Sequence, residues 1–217
     1  MRIDVLTLFP GMFEGPLTES ILKRARDKGL LEIVLHDIRD HAPGRHRQVD
    51  DRPYGGGAGM VMTCEPIVAA IEAATAEGRK TLGADASPLR IYLSPRGPRL
   101  TQPRVEKLAA KHGWMLLLCG RYEGIDQRII DGGWIDQELS IGDYVLTGGE
   151  LPAMVLIDAV SRQVPGGLGR EESAGEDSFP ASIGRKREYP HYTRPEEFAG
   201  MRGPGEPPGR HHPRIEK

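Results

Sequence analysis

Strand-like and helix-like patterns alternate along residues 2–162, and glycine-bearing loops follow one strand after another. RIDVLTLF (2–9) is short, apolar and rich in β-branched residues, so it is predicted as a buried strand. Leu17, Ile21, Leu22 and Ala25 recur at helical spacing, and Gly29 supplies the stop. LLEIVLHD (30–37) is a second strand. After a long loop, Thr63 is the expected N-cap of a helix that carries Ile67, Ala70, Ile71 and Ala74 and ends at Gly78. LRIYLS (89–94) is a third strand, and Thr101 is expected to cap a helix with Val105, Leu108, Ala109 and His112 on one face. WMLLLC (114–119) is a fully apolar strand, followed by a short helix near 125–131 and strand pieces around 134–146. LPAMVLIDAVSR (151–162) is apolar almost all round and is predicted as a buried helix. This alternation predicts an α/β fold with a mostly parallel sheet flanked by helices. Past residue 163 the pattern dissolves. Residues 163–192 read as a long linker or active-site loop, and residues 193–217 as Pro- and Gly-rich chain with no element longer than a turn or two.

Composition narrows the function classes. The chain of 217 residues has a formal net charge of −2 and does not have the balance of a general nucleic-acid binder. The charge is uneven, however. Residues 1–184 hold 21 basic and 26 acidic side chains, whereas residues 185–217 hold 8 basic and 5 acidic. A basic tail on an acidic body fits either a phosphate-contacting surface or a solvated tail. The 28 glycines and 18 prolines follow no collagen-like period, so they mark turns of special geometry. No run approaches 18 apolar residues and the N-terminus lacks a signal-peptide pattern, so neither a membrane span nor secretion is expected. Cys64 and Cys119 form no C-x-x-C pair. A reducing compartment and a cytoplasmic location are therefore expected, and no zinc cluster. His36, His41 and His46 share no helix face and make no expected metal site. The dinucleotide, nucleoside-triphosphate and serine-hydrolase fingerprints are all absent from the sequence.

What remains is a set of three loops, YLSPRG (92–97), CGRYEGID (119–126) and SIGDYVLTGGELPA (140–153), each placed after a strand. Ligands of open α/β sheets bind outside the carboxyl ends of the strands. Glycine there lets backbone N–H and C=O groups approach a ligand, and Leu93, Pro95, Ile141 and Leu146 offer apolar walls. Any one such loop is explained by a tight turn; three in register predict a nucleoside-like pocket. VDDRPYGGGAGMVM (49–62), with two acids, an arginine and four glycines before a helix, reads as a surface loop or as the lining of a site or subunit contact.

The strings VDDRPYGGGAGM, YLSP, CGRYEGID, SIGDYVLTGGELPA and PHYTRP, in that order over residues 1–195, resemble the bacterial tRNA (guanine-N1)-methyltransferase family. The resemblance implies a SPOUT-class α/β fold with a C-terminal trefoil knot, which periodicity does not show and which the general rule against knots disfavours. It implies a homodimer with the acceptor site between subunits, tRNA as partner and S-adenosylmethionine as methyl donor, and it suggests magnesium dependence, for which no ligand cluster stands out. By motif position the donor contacts Tyr92, Leu93, Ser94, Pro95, Gly120, Tyr122, Glu123, Gly124, Ile141, Gly142, Asp143, Tyr144, Val145, Leu146, Gly148 and Gly149. The expected organisation is a methyltransferase domain over 1–162, an interdomain loop over 163–192, and the start of a C-terminal tRNA-binding domain over 193–217. The family's substrate is the guanosine immediately 3′ of the anticodon.

Methylating N1 of guanine requires removal of its proton and stabilisation of the charge that spreads to O6. By the same resemblance Asp177, in GEDSF, is the proposed base, and Arg162, in AVSRQVPG, the group at O6. Taken alone, Asp177 among Glu171, Glu172 and Glu176 is explained by solvation, and Arg162 by an i,i+4 pair with Asp158. Arg185, Lys186, Arg187, His191, Tyr192 and Arg194 mix positive charge with an aromatic ring, as phosphate contact and base stacking require; a rigid Pro-bounded linker is the plainer reading. The segment FPASIGRKREY (179–189) is more basic than the family's usual Gly-Leu-Leu stretch, and GRHHPRIEK (209–217) resembles only the opening of the family's C-terminal domain. That departure motivates a second reading, a dimeric RNA- or nucleoside-binding protein of low activity. A third, a ribose methyltransferase, is disfavoured by the strings around Arg162 and Asp177.

Overall fold

A computed structural model describes residues 1–166, 184 and 190–203. The chain divides into two compact units, Met1–Glu171 and Glu172–Lys217.

In the first unit, five strands form one sheet: β1 (Arg2–Thr7), β2 (Glu32–Asp37), β5 (Leu89–Leu93), β6 (Trp114–Cys119) and β7 (Gln137–Leu139). Their order is β2-β1-β6-β5-β7, and every pairing is parallel. Two short strands, β3 (Asp50–Asp51) and β4 (Val61–Met62), make a separate antiparallel pair. The helices are α1 (Ser20–Asp27), α2 (Cys64–Leu82), α3 (Gln102–Lys111), α4 (Arg128–Asp131) and α5 (Glu150–Ser161). Parallel strands need crossovers, and these crossovers cover both faces of the sheet. Ile3, Val5, Ile91, Leu93, Met115 and Leu117 point to the face carrying α1, α3 and α5. Leu6, Tyr92, Leu116 and Leu118 point to the face carrying α2 and Ile129 of α4. A strand that is apolar without alternation, such as β6, is thus one buried on both sides. The second unit contains the hairpin β8 (Glu197–Phe198) and β9 (Met201–Arg202).

The predicted elements are present, with four corrections. Helix α2 runs through Gly78 to Leu82 and stops at Gly83, whose φ of 106° ends the helix. Gly78 is there for packing: a Cβ on it would lie 2.1 Å from Cζ2 of Trp114. Thr63 and Thr101 occupy the N-cap positions, yet neither side chain makes a cap hydrogen bond; the Thr63 hydroxyl donates to the Val49 carbonyl instead. Between 134 and 146 only Gln137–Leu139 forms a strand. Helix α5 is not buried all round: Pro152, Ala153, Leu156, Ile157 and Val160 face the core, but Leu151 and Val155 are about half exposed.

The amino-terminal end of the sheet holds a charged cluster inside the fold. Asp4 is fully buried on β1. Its carboxylate receives two bonds from the Arg2 guanidinium at 2.9 Å each, one from the Trp114 indole N–H at 2.7 Å, and lies 2.7 Å from Nε2 of His36. Burial alone would raise the Asp4 pKa, but the bonds from His36, Arg2 and Trp114 outweigh it and hold the group below its ordinary value. Arg2 also reaches Glu32 at 3.1 Å. Asp4→Asn leaves the Arg2 charge buried without its main partner, at a cost on the order of 3–5 kcal/mol. Because the folded pKa of Asp4 is depressed, its contribution is full above the unfolded value of about 3.9 and is lost as pH falls through the folded value. Urea unfolding at about pH 7 and about pH 3 is expected to show a large deficit for the variant at the first and a smaller one at the second.

Candidate functional site

Register decides where the loops meet. Leu93 of β5 lies opposite Cys119 of β6 on one side and Leu139 of β7 on the other. Three adjacent parallel strands therefore end at one level, and the loops that follow them rise from the same edge. Together they enclose a cavity of about 280 Å³. This lies just under the range of roughly 300–1,000 Å³ typical of small-molecule pockets.

Every residue predicted to meet the donor lines this cavity except Asp143. Asp143 is exposed and ion-paired with Arg99. Sequence reasoning missed Arg96, Arg121, Ile125, Leu139, Ser140, Thr147 and Pro152, which line it too. All but Leu139 lie inside the same strings, which was their signal; Leu139 ends the strand just before SIGDYVLTGGELPA.

Glycines set the closeness of the walls. The N–H of Gly149 donates to the carbonyl of Gly120 at 2.9 Å, and Arg121 bridges Gly148 in antiparallel fashion. A Cβ on Gly149 would lie 2.7 Å from the Cα of Cys119, and one on Gly97 would lie 2.4 Å from the backbone nitrogen of Leu139. Side chains at these positions would force the loops apart. Tyr122 adopts φ 58°, a left-handed conformation uncommon for a bulky residue, at the turn where the loop bends round the cavity. Its ring is half exposed, as is that of Tyr144 across the cavity, while Tyr92 is almost wholly buried. Burial pushes the Tyr92 phenol above its ordinary pKa, so it stays protonated.

The wall residue Arg121 is ion-paired with the buried Glu150. Nη2 of Arg121 stands 3.0 Å from Oε2 of Glu150, and the Thr7 hydroxyl donates to Oε1 of Glu150 at 2.8 Å. The Arg121 guanidinium also lies over the Phe9 ring, 4.4 Å from its centroid. The glycine-rich loop 49–62 is stitched to the same 120–126 segment. The N–H groups of Glu123 and Asp126 donate to the carbonyls of Met60 and Met62, and that of Met62 to Gly124. The loop thus runs beside the cavity, with Gly59 close against the Glu123 side chain.

Arg162 is not among the lining residues. Arg162 follows the last residue of the 12-residue α5, while the cavity sits at the start of that helix. At 1.5 Å per residue the two are about 18 Å apart along the axis. Asp177, Arg185, Lys186 and Arg187 lie outside the described residues. His191, Tyr192 and Arg194 are exposed in the second unit. Among the described residues no three His, Cys, Asp or Glu side chains are grouped to hold a metal ion, and no helix is long and apolar enough to cross a membrane.

The profile of the family described as tRNA (Guanine-1)-methyltransferase TrmD matches residues 1–217. The chain belongs to this family. A relative from Citrifermentans bemidjiense, named tRNA (guanine-N(1)-)-methyltransferase, is 53% identical over 204 residues, covering 94% of this chain and 77% of the relative. One of the same name from Anaeromyxobacter sp. strain Fw109-5 is 51% identical over 217 residues, covering 100% of this chain and 83% of the relative. The crystal structure of the tRNA (m1G37) methyltransferase from Aquifex aeolicus superposes with a TM-score of 0.77 at 37% identity, covering 100% of this chain and 90% of that one. The α/β fold with its parallel sheet is thus that of a TrmD family member.

Gly149→Ala in this TrmD family chain is expected to cost about 1–3 kcal/mol, because backbone rather than a mobile side-chain end must move. Thermal unfolding measures that loss, and a fall in melting temperature no larger than that of Gly113→Ala, where a Cβ meets open space, would contradict it.

Proposed function

We propose that this chain transfers a methyl group from S-adenosylmethionine to N1 of the guanosine immediately 3′ of the anticodon in tRNA. The observation that carries the reading is the convergence of three glycine-bearing loops on one cavity at the carboxyl edge of the sheet, in a chain of the TrmD family. The relatives' names and that of the Aquifex aeolicus tRNA (m1G37) methyltransferase support the same substrate.

The cavity fits the donor chemically. Leu93, Pro95, Ile141 and Leu146 give apolar walls for a nucleoside, while the backbone at Gly120, Gly124, Gly142, Gly148 and Gly149 comes close enough to read polar edges. Bound there, the donor supplies a methyl carbon on a sulfonium. The walls hold that carbon in line with N1, and such positioning accounts for much of the rate of a displacement. Asp177 takes the N1 proton. N1 then forms its bond to carbon as the carbon–sulfur bond breaks, with the electron pair going to sulfur. Arg162 donates to O6, where the negative charge gathers.

Arg162 cannot reach the cavity of its own chain from the far end of α5, so it acts at the cavity of a second copy. A homodimer is the natural arrangement, and the half-exposed Leu151 and Val155, four residues apart on one face of α5, support it. The knot expected for the SPOUT class belongs to this proposal, as does the organisation into a methyltransferase domain over 1–162, a linking loop over 163–192 and a tRNA-contacting segment over 193–217. The exposed His191, Tyr192 and Arg194, with Arg185, Lys186 and Arg187, supply charge and an aromatic face for RNA. Two free cysteines suit a cytoplasmic setting. Magnesium, suggested by the resemblance, also belongs to this proposal; one or two carboxylates with substrate oxygens suffice to hold such an ion.

Incubation of the protein with labelled donor and unmodified tRNA, followed by nucleoside mass spectrometry, is expected to yield 1-methylguanosine. A ribose-methylated product, or none, would overturn the reading. Asp177→Ala is expected to lower turnover by about 10²-fold or more while donor affinity stays near that of the wild type; equal turnover would remove Asp177 as the base.

A further inference from the structure

Glu150 is a carboxylate with 1% exposure, and the reaction gives it no task. It is the first residue of α5, directly after the glycine pair that walls the cavity. Oε1 accepts from the Thr7 hydroxyl at 2.8 Å, and that hydroxyl in turn accepts from the N–H of Phe9 at 2.9 Å. Oε2 faces Nη2 of Arg121 at 3.0 Å. The same guanidinium donates to the Thr147 carbonyl at 3.3 Å and to the Met12 sulfur at 3.2 Å. Arg121 belongs to the wall formed by Gly120–Gly124, and Thr147 to the opposing wall. One charge pair therefore ties both walls to each other and to the end of β1.

The pair is a poor device for stability alone. Oε2 of Glu150 and Nε of Arg121 are both buried without an aligned hydrogen bond among the described residues. Taking two charges out of water for such geometry gains little over an apolar pair of the same volume. What it does fix is distance. A Cβ on Gly148 would lie 2.3 Å from Nε of Arg121 and 2.5 Å from Oε2 of Glu150, so the wall is drawn down onto the pair as far as the backbone allows.

We propose that Glu150 and Arg121 are positioning residues that set the width of the donor cavity by clamping the Thr147–Gly149 wall to the Gly120–Gly124 wall. The proposal rests on the reading of the cavity as the donor site. Neither side chain is required to touch the reacting atoms. Both act through the walls, before the donor arrives, so their effect falls on donor affinity.

Calorimetry with S-adenosylmethionine tests this on the full chain. Glu150→Gln keeps the volume and the acceptor for Thr7 but removes the charge. Its donor dissociation constant is expected to rise by about tenfold or more, with kcat at saturating donor and KM for tRNA near wild type. Arg121→Gln completes the cycle, and the double variant Arg121→Gln/Glu150→Gln, which leaves no buried charge unpaired, is expected to bind no more weakly than the weaker-binding of the two single variants, the mark of two residues acting as a unit. It also decides the matter should Glu150→Gln fail to fold. Donor affinity equal to wild type in a folded variant, or losses that simply add, would overturn the proposal, even if melting temperatures fell. Failure of the unaltered protein to bind the donor would instead overturn the reading of the cavity and the clamp with it.

Discussion

The site depends on the flush ending of three neighbouring strands. With Leu93 held opposite both Cys119 and Leu139, the chain leaves the sheet three times at one level and must turn three times over the same spot. Parallel pairing makes this possible, because all carboxyl ends then lie on one edge. A shift of one residue in β7 would turn Leu139 out of the core and carry its loop away from the other two. The apolar run of β6, buried on both faces, anchors the middle of that arrangement.

Both ends of the sheet bury charged groups, but only the carboxyl end also brings backbone against backbone. At the amino-terminal edge, polar side chains are buried and fully engaged, with Asp4 answered by Arg2, Trp114 and His36. At the carboxyl edge Glu150 pairs with Arg121, and glycines let chain segments close on one another, with Gly149 against Gly120 and Gly97 against Leu139. The first device fixes β1, β2 and β6 to one another. The second sets how closely the loops approach one another. Strand β1 takes part in both, since it carries Asp4 near its start and Thr7, the partner of Glu150, at its end.

The pattern of apolar residues made the α/β class and nearly every element legible, because period and punctuation are local properties. The loops were legible for a different reason: their strings are long and placed after strands. Local reasoning failed where a distant residue decided the outcome. Gly78 reads as a helix stop, but Trp114, far along the chain, makes it a packing position. Thr63 reads as a capping hydroxyl, but the carbonyl of Val49 claims its proton. The pair of Arg121 with Glu150 and Thr7 joins residues that no sequence window contains. Asp143 sits within a site string yet turns away to Arg99, because neighbouring residues in a loop need not face the same way.

Helix α5 shows how one sequence feature serves several ends. An all-round apolar helix has more hydrophobic surface than a sheet can cover from one side. Here the sheet side takes Ala153, Leu156, Ile157 and Val160, and Leu151 and Val155 are left on the surface. The first turn carries Glu150, tied to the walls of the cavity, and the helix ends at Ser161 just before Arg162, a helix length away. A rod of this length sets Arg162 a helix length from Glu150, and under the proposed function that separation is bridged by a second chain. In the proposed dimer the exposed Leu151 and Val155 would face the second copy. Under the proposed function, the surplus of apolar residues that first marked this segment as core is what carries Arg162 to a cavity its own chain cannot offer it.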